Sequence, residues 1–196
     1  FKYKNILFII VKWIKMKIAV LGWGSLIWDP RDLMIEKNKD WKKDGPLMPI
    51  EFARISMNGT LTLVIKENAS IVQVLWTYMK AKSLTEAMKN LQQREGTPHV
   101  SNIGYIDLQN TKVSSKLPQL ESRIYDWAKD KEIDAVIWTA LGVKFKDKIG
   151  IEFNPKNVVG YLNRLSKSKK ALAKKYIHNT PKQIRTEYRE IMEKEF

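Results

Sequence analysis

The chain of 196 residues carries 35 Lys and Arg against 21 Asp and Glu, a formal net charge of +14. This length fits one domain, and 44% hydrophobic residues can build a core, which excludes disordered and collagen-like classes. The absence of cysteine excludes disulfide scaffolds, Cys-ligated zinc, iron-sulfur clusters and thiol nucleophiles. The two histidines, His99 and His178, have no metal-ligand spacing. We therefore expect a cytoplasmic protein without a metal site.

The positive charge is concentrated at the two ends of the chain. Residues 1–17 contain five Lys and no acid, and residues 161–196 have a net charge of +6, so the ends supply +11 of the +14. We interpret 16–160 as the main domain and 161–196 as a basic helical tail packed on it.

The first fifteen residues have a basic and apolar character. They resemble the start of a signal peptide, but Lys12 and Lys15 interrupt the apolar run and no small-residue cleavage site follows. A membrane span needs about 20 apolar residues, so this run is too short. We predict that residues 1–15 are an N-terminal extension before Met16. The alternative is an extra strand or a membrane-touching segment.

The run 18–21 is apolar and ends at Gly22 and Gly24, which predicts a buried strand leading into a tight loop. The two glycines suggest a dinucleotide-binding G-x-G-x-x-G motif, but the third position is Ile27. Asp29-Pro30 also disfavours the helix that this motif requires. A dinucleotide site is therefore not favoured.

Two runs rich in β-formers, 52–56 and 60–65, flank Asn58-Gly59. Asn-Gly is a strong hairpin signal, so we predict a β-hairpin. Residues 70–78 form another β-rich run.

Helix signals increase after residue 82. Ser83 and Glu86 have the spacing of a capping box, and the helix they begin is predicted to stop near Glu95-Gly96. Thr180-Pro181 predicts the start of the last helix. Further strands are predicted at 103–108 and 135–141, and a further helix at 117–129. Strands dominate the first two thirds and helices the end, which predicts an α+β fold with a mixed or antiparallel sheet.

The loop at 22–28, Gly-Trp-Gly-Ser-Leu-Ile-Trp, can face an anion with its backbone N-H groups, because glycine allows close approach. The alternative is an ordinary strand-end turn in which Trp23 and Trp28 are packing residues.

This loop resembles the Tyr-Gly-Ser-Leu or Tyr-Gly-Ser-Asn loop of the gamma-glutamylcyclotransferase superfamily, especially its ChaC-type branch. Residues 71–78, then Leu-Gln-Gln-Arg-Glu-Gly at 91–96 and Gly104-Tyr105, are similar to that family's strand, Arg-Glu pair and following strand. The resemblance runs from about residue 16 to residue 141.

The resemblance implies a small mixed or antiparallel β-barrel with flanking helices, and a reaction that converts a small γ-glutamyl compound to 5-oxoproline without a metal or redox cofactor. It assigns Glu95 as general base and acid. The alternative for Glu95 is a solvated carboxylate at a helix end, paired with a neighbouring Lys or Arg. It assigns substrate binding to Trp23, Gly24, Ser25 and Leu26, with Tyr105 as a further candidate. Trp23 departs from the family's usual Tyr, which leaves the substrate's identity open.

Three other residues are weaker candidates. His99 lies near Glu95 in sequence and is a possible proton partner, and Arg54 is a possible contact for an anionic substrate. His178 is predicted to be a surface residue or a helix-capping residue without a functional role.

A second function remains open, namely a binding protein on the same fold whose tail engages nucleic acid or another polyanion. The feature behind it is a cluster of five lysines: Lys167, Lys169, Lys170, Lys174 and Lys175. No Arg-aromatic interleaving accompanies the cluster, so a solvated surface is favoured.

Overall fold

The computed structural model describes residues 16–36, 40–114 and 117–196. The prediction for residues 1–15 lies outside these ranges. The strands are β1 (Ile18–Gly22), β2 (Leu47–Ile55), β3 (Leu61–Ile65), β4 (Ile71–Gln73), β5 (Leu75–Tyr78), β6 (Ile103–Asp107), β7 (Lys112–Ser114) and β8 (Ala135–Thr139). The α-helices are α1 (Leu84–Glu95), α2 (Pro118–Asp130), α3 (Lys146–Ile149), α4 (Pro155–Arg164), α5 (Lys167–Asn179) and α6 (Glu187–Glu195), and a 3-10 turn spans Val100–Asn102.

The strands form two sheets, which confirms the α+β class. The larger sheet has the order β5-β1-β8-β6-β7, and the smaller has the order β3-β2-β4. Only the β1 and β8 pair is parallel among the described strands. The described strands do not close into one barrel, so the predicted barrel is not confirmed. The two sheets adjoin at Val74, a fully buried residue that alone separates β4 from β5.

Strand β1 of the larger sheet is buried on both faces, because its side chains alternate between two hydrophobic clusters. Ile18 and Val20 pack in a cluster that includes Leu91 of α1. Ala19 and Leu21 pack in the main cluster, with α2 and the smaller sheet. Covered in this way, β1 is a rigid support for the loop that follows it.

The predicted β-hairpin is confirmed by the antiparallel pairing of β2 with β3. Gly59 has φ of +84°, a conformation that glycine adopts without the steric penalty of a Cβ. A β-bulge interrupts the pairing between Phe52 and Arg54. A bulge changes the direction of the side chains around it. Arg54 is accordingly half-buried, in a strand whose other residues except Leu47 are buried.

Helix α1 begins and ends where the sequence predicts. The Ser83 side chain accepts a hydrogen bond from the Glu86 backbone N-H, and the Glu86 carboxylate accepts one from the Lys82 N-H. Gly96 follows the helix with φ of +62°, the left-handed conformation of a helix C-cap. These two signals place Glu95 at the last residue of the helix.

The prediction that Thr180-Pro181 begins the last helix is wrong. Thr180 instead follows the end of α5, and its hydroxyl donates to the Tyr176 carbonyl at 2.9 Å. Helix α6 begins after Thr186, whose side chain accepts from the Arg189 N-H. The intervening turn is stabilised because the Arg189 guanidinium donates to the carbonyls of Thr180, Pro181 and Ile184. A tertiary contact therefore outweighs the local Thr-Pro signal.

Within the described ranges, every helix is too short or too polar to cross a membrane.

Candidate active site

A cleft of about 760 Å³ lies between the loop after β1, the end of α1 and the β2-β3 hairpin. Its walls include the predicted loop residues together with Glu95: Trp23, Gly24, Ser25, Leu26 and Glu95. The fold therefore brings together two segments that are about 70 positions apart in sequence. Neither segment predicts this proximity on its own.

The loop is shaped by two backbone hydrogen bonds and two buried side chains. Ile27 N-H donates to the Gly24 carbonyl at 3.0 Å, and Asp29 N-H donates to the Ser25 carbonyl at 2.8 Å. Trp23 and Leu26 are each 5% exposed, and the Trp23 indole donates to the Leu63 carbonyl at 3.3 Å. Trp23 and Leu26 thus anchor the loop in the core. The half-buried Ser25 is the polar side chain that the loop presents.

Arg94 connects the loop to Glu95. One guanidinium nitrogen donates to Glu95 Oε1 at 2.7 Å, and another donates to Ser25 Oγ at 3.3 Å and to the Asp29 carbonyl at 2.6 Å. The Arg94 side chain is only 5% exposed, so these contacts are shielded from water. Its Nε has no hydrogen-bond partner among the described residues. Arg94 fixes the positions of the hydroxyl and the carboxylate relative to each other.

Glu95 faces the cleft with 14% of its side chain exposed. Arg94 binds its Oε1, while no donor in the described part of the chain binds its Oε2. The carboxylate is therefore held in place through one oxygen and has a second oxygen available to a ligand. This is the arrangement that a positioned proton acceptor needs.

Tyr176 of α5 reaches the same loop, and the sequence did not predict this role. Its hydroxyl accepts from the Leu63 N-H at 3.5 Å, and its ring packs edge-on against Trp28 at a centroid distance of 5.1 Å. Burial raises the pKa of Tyr176 to about 12, although backbone groups of Leu63 and Ser25 oppose the shift. The hydroxyl, which lies in the cleft lining, therefore keeps at neutral pH a proton that it can donate.

The remaining candidates lie in different surroundings. His99 is exposed and lines the cleft beyond the end of α1, and Arg54 lines the opposite wall on β2. Tyr105 of β6 is half-buried against the hydrophobic cluster of Ile18 and is not among the residues that line the cleft. His178 is exposed on α5 and also lies outside the cleft lining.

The chemistry of the cleft is that of hydroxyls, carboxylates and cations. Among the described residues, no group of three or more His, Asp or Glu side chains is arranged to hold a metal ion. Comparisons with protein-family models, curated proteins and solved structures found no match.

Proposed function

We propose that the chain is a gamma-glutamylcyclotransferase-like enzyme that converts a small γ-glutamyl compound to 5-oxoproline and a released amine or peptide. The observation that carries the proposal is the Arg94 contact, which joins Ser25 of the Gly-Ser loop to Glu95 across one cleft. The same proposal assigns the two sheets to a gamma-glutamylcyclotransferase-like fold.

In the proposed reaction the substrate's α-amine attacks its own γ-carbonyl carbon. Glu95 takes a proton from the α-amine as the new carbon-nitrogen bond forms. It then gives that proton to the original amide nitrogen as the old carbon-nitrogen bond breaks. The five-membered lactam is 5-oxoproline, and the carboxylate is regenerated in each cycle. The free Oε2 of Glu95 is the oxygen suited to this transfer.

Arg94 and Tyr176 have distinct roles in this scheme. Arg94 is a positioning residue, because it touches Glu95 and Ser25 and is itself almost fully buried. Tyr176 supplies a protonated hydroxyl beside the Gly24-Ser25 loop. A donor placed there stabilises negative charge that develops on the γ-carbonyl oxygen during attack.

The experiment is a 5-oxoproline assay on γ-glutamyl amino acids, γ-glutamyl amines and glutathione. We expect the unaltered protein to be active and Glu95→Gln to lose at least about a hundredfold in kcat, since an amide cannot accept the proton. Glu195→Gln makes the same chemical change on an exposed carboxylate of α6 and should retain full activity. Full activity of Glu95→Gln would contradict the mechanism.

A second candidate function is the binding of a polyanion by α5. Lys167, Lys169, Lys174 and Lys175 are exposed, and none of them forms an ion pair with a described residue. If this surface contacts several phosphates, affinity for duplex DNA should fall by about 0.9 log units per phosphate for each log unit of salt. Absence of a complex with DNA or RNA at low salt would exclude this function.

A further inference from the structure

We propose that Arg54 and Lys144 form an anion-binding subsite in the cleft, which accepts a carboxylate on the released part of the substrate. This inference rests on the proposed function and narrows its substrate class. It favours γ-glutamyl amino acids and peptides over neutral γ-glutamyl alkylamines.

The first support is the state of Arg54. Its guanidinium donates to the Gly142 carbonyl at 2.9 Å, which fixes its orientation with one of its nitrogens. No described carboxylate lies within ion-pair distance of it. Burial lowers the pKa of Arg54, and the nearby charge of Glu95 opposes that shift. A partly desolvated cation with unused donors is well suited to bind an anion.

The second support is the difference between Arg54 and the other two arginines of the cleft. Arg31 is paired with Asp29 at 3.1 Å, and Arg94 is paired with Glu95 at 2.7 Å. Their charges are therefore compensated within the protein. Arg54 has no such carboxylate partner among the described residues.

The third support is Lys144, which lines the same cleft beside Arg54. Its N-H donates to the Ala53 carbonyl at 3.0 Å, and it forms a parallel β-bridge with Arg54. Lys144 is exposed and has no ion pair with any residue in the described ranges. Two uncompensated cations on adjacent backbone segments make this wall of the cleft positive.

The location of the subsite indicates which part of the substrate it contacts. Glu95 at the end of α1 and Arg54 on β2 both line the cleft, on facing walls. Glu95 protonates the leaving nitrogen in the proposed reaction. The subsite proposed at Arg54 faces Glu95 across the cleft and is assigned to the released part of the substrate, where an amino acid carries its carboxylate a few bonds from that nitrogen.

The test compares γ-glutamyl-alanine with γ-glutamyl-ethylamine, which differ by one carboxylate on the released part. We expect kcat/KM to favour γ-glutamyl-alanine by at least about tenfold, the effect of a charge-assisted contact. Arg54→Gln should bring the ratio of the two values close to one, and Lys144→Gln should reduce it partly. Arg123→Gln removes the same charge from an exposed site on α2 outside the cleft and should leave the ratio unchanged. An unaltered ratio in Arg54→Gln, or no preference in the wild type, would overturn the subsite.

A binding measurement separates the failure of the subsite from the failure of the proposed reaction. Calorimetric titration of Glu95→Gln with each compound reports binding without turnover, and the double variant Arg54→Gln/Glu95→Gln reports the contribution of Arg54. Preferential binding of γ-glutamyl-alanine that Arg54→Gln abolishes, without any 5-oxoproline from the wild type, would support the subsite and reject the reaction. Equal binding of both compounds would reject the subsite, and binding of neither would reject both. Because Lys144 is exposed, its variant remains informative if Arg54→Gln fails to fold.

Discussion

Substitution of Gly24 by alanine tests the contact between the basic tail and the Gly-Ser loop. A Cβ at Gly24 would lie 2.4 Å from the Tyr176 hydroxyl oxygen, closer than nonbonded atoms approach. The Tyr176 ring cannot retreat freely, because it packs against Trp28 at 5.1 Å and Phe52 at 6.0 Å between centroids. Either the loop or α5 must therefore shift.

The structure sets the magnitude of this effect. Overpacking of a well-filled site costs about 1–3 kcal/mol, which in a chain of this size lowers Tm by roughly 2–12 °C. The clash involves the hydroxyl oxygen alone, since the next ring atom of Tyr176 lies at 3.5 Å from the added Cβ, an ordinary contact. In the Tyr176→Phe background, Gly24→Ala should consequently cost close to nothing.

The assay is urea unfolding of the wild type, both single variants and the double variant. A double-mutant cycle should give a coupling free energy close to the full cost of Gly24→Ala. Gly142→Ala is the control, because a Cβ there would meet nothing within 4 Å and its φ is not positive. Additive effects, or a neutral Gly24→Ala, would refute the described packing of Tyr176 on the loop.

Other consequences concern the elements that support the site. Thr186→Ala should lower the free energy of unfolding by about 1–2 kcal/mol in urea titrations, because Thr186 caps α6 and its hydroxyl donates to buried Glu51 at 2.5 Å. Ser83→Ala should cost about 1 kcal/mol in the same assay, through loss of the α1 cap. Burial raises the pKa of Glu51 above its ordinary value near 4.5, against opposing hydrogen bonds from Thr186 and the backbone. The folded state therefore holds this proton more tightly than the unfolded state, and the stabilisation is lost as pH rises through the folded pKa. The stability of the wild type relative to Glu51→Gln should fall in urea titrations as pH rises above the ordinary carboxyl pKa near 4.5, and a rise would contradict the assigned direction.

Local chemistry explains what the sequence predicted correctly. The Asn58-Gly59 turn and the cap at Ser83 depend on side chains and dihedral angles a few residues apart, so their elements were predictable. The position of Glu95 at the end of α1 followed from Gly96 for the same reason. These local signals predicted two of the elements that border the cleft, the β2-β3 hairpin and the end of α1.

Contacts between residues that are far apart in sequence explain which features of the site the sequence did not predict. Tyr176 meets Leu63 across 113 positions, so no pattern local to α5 predicts this partner. The role of Arg94 depends on the Ser25 loop, 69 positions away. The division of the described strands into two sheets is equally a tertiary property, since β4 and β5 are consecutive along the chain yet pair in different sheets.

In the proposed reaction, the cleft closes a γ-glutamyl group on its own amine. The most direct measurement is the identity and stoichiometry of the products formed from γ-glutamyl-alanine by the purified protein. We predict 5-oxoproline and free alanine in a one-to-one ratio, without free glutamate, because the α-amine and not water attacks the γ-carbonyl. Release of glutamate together with alanine would show hydrolysis. Absence of any released alanine would show that the cleft does not act on this bond. Either result would contradict the proposed function.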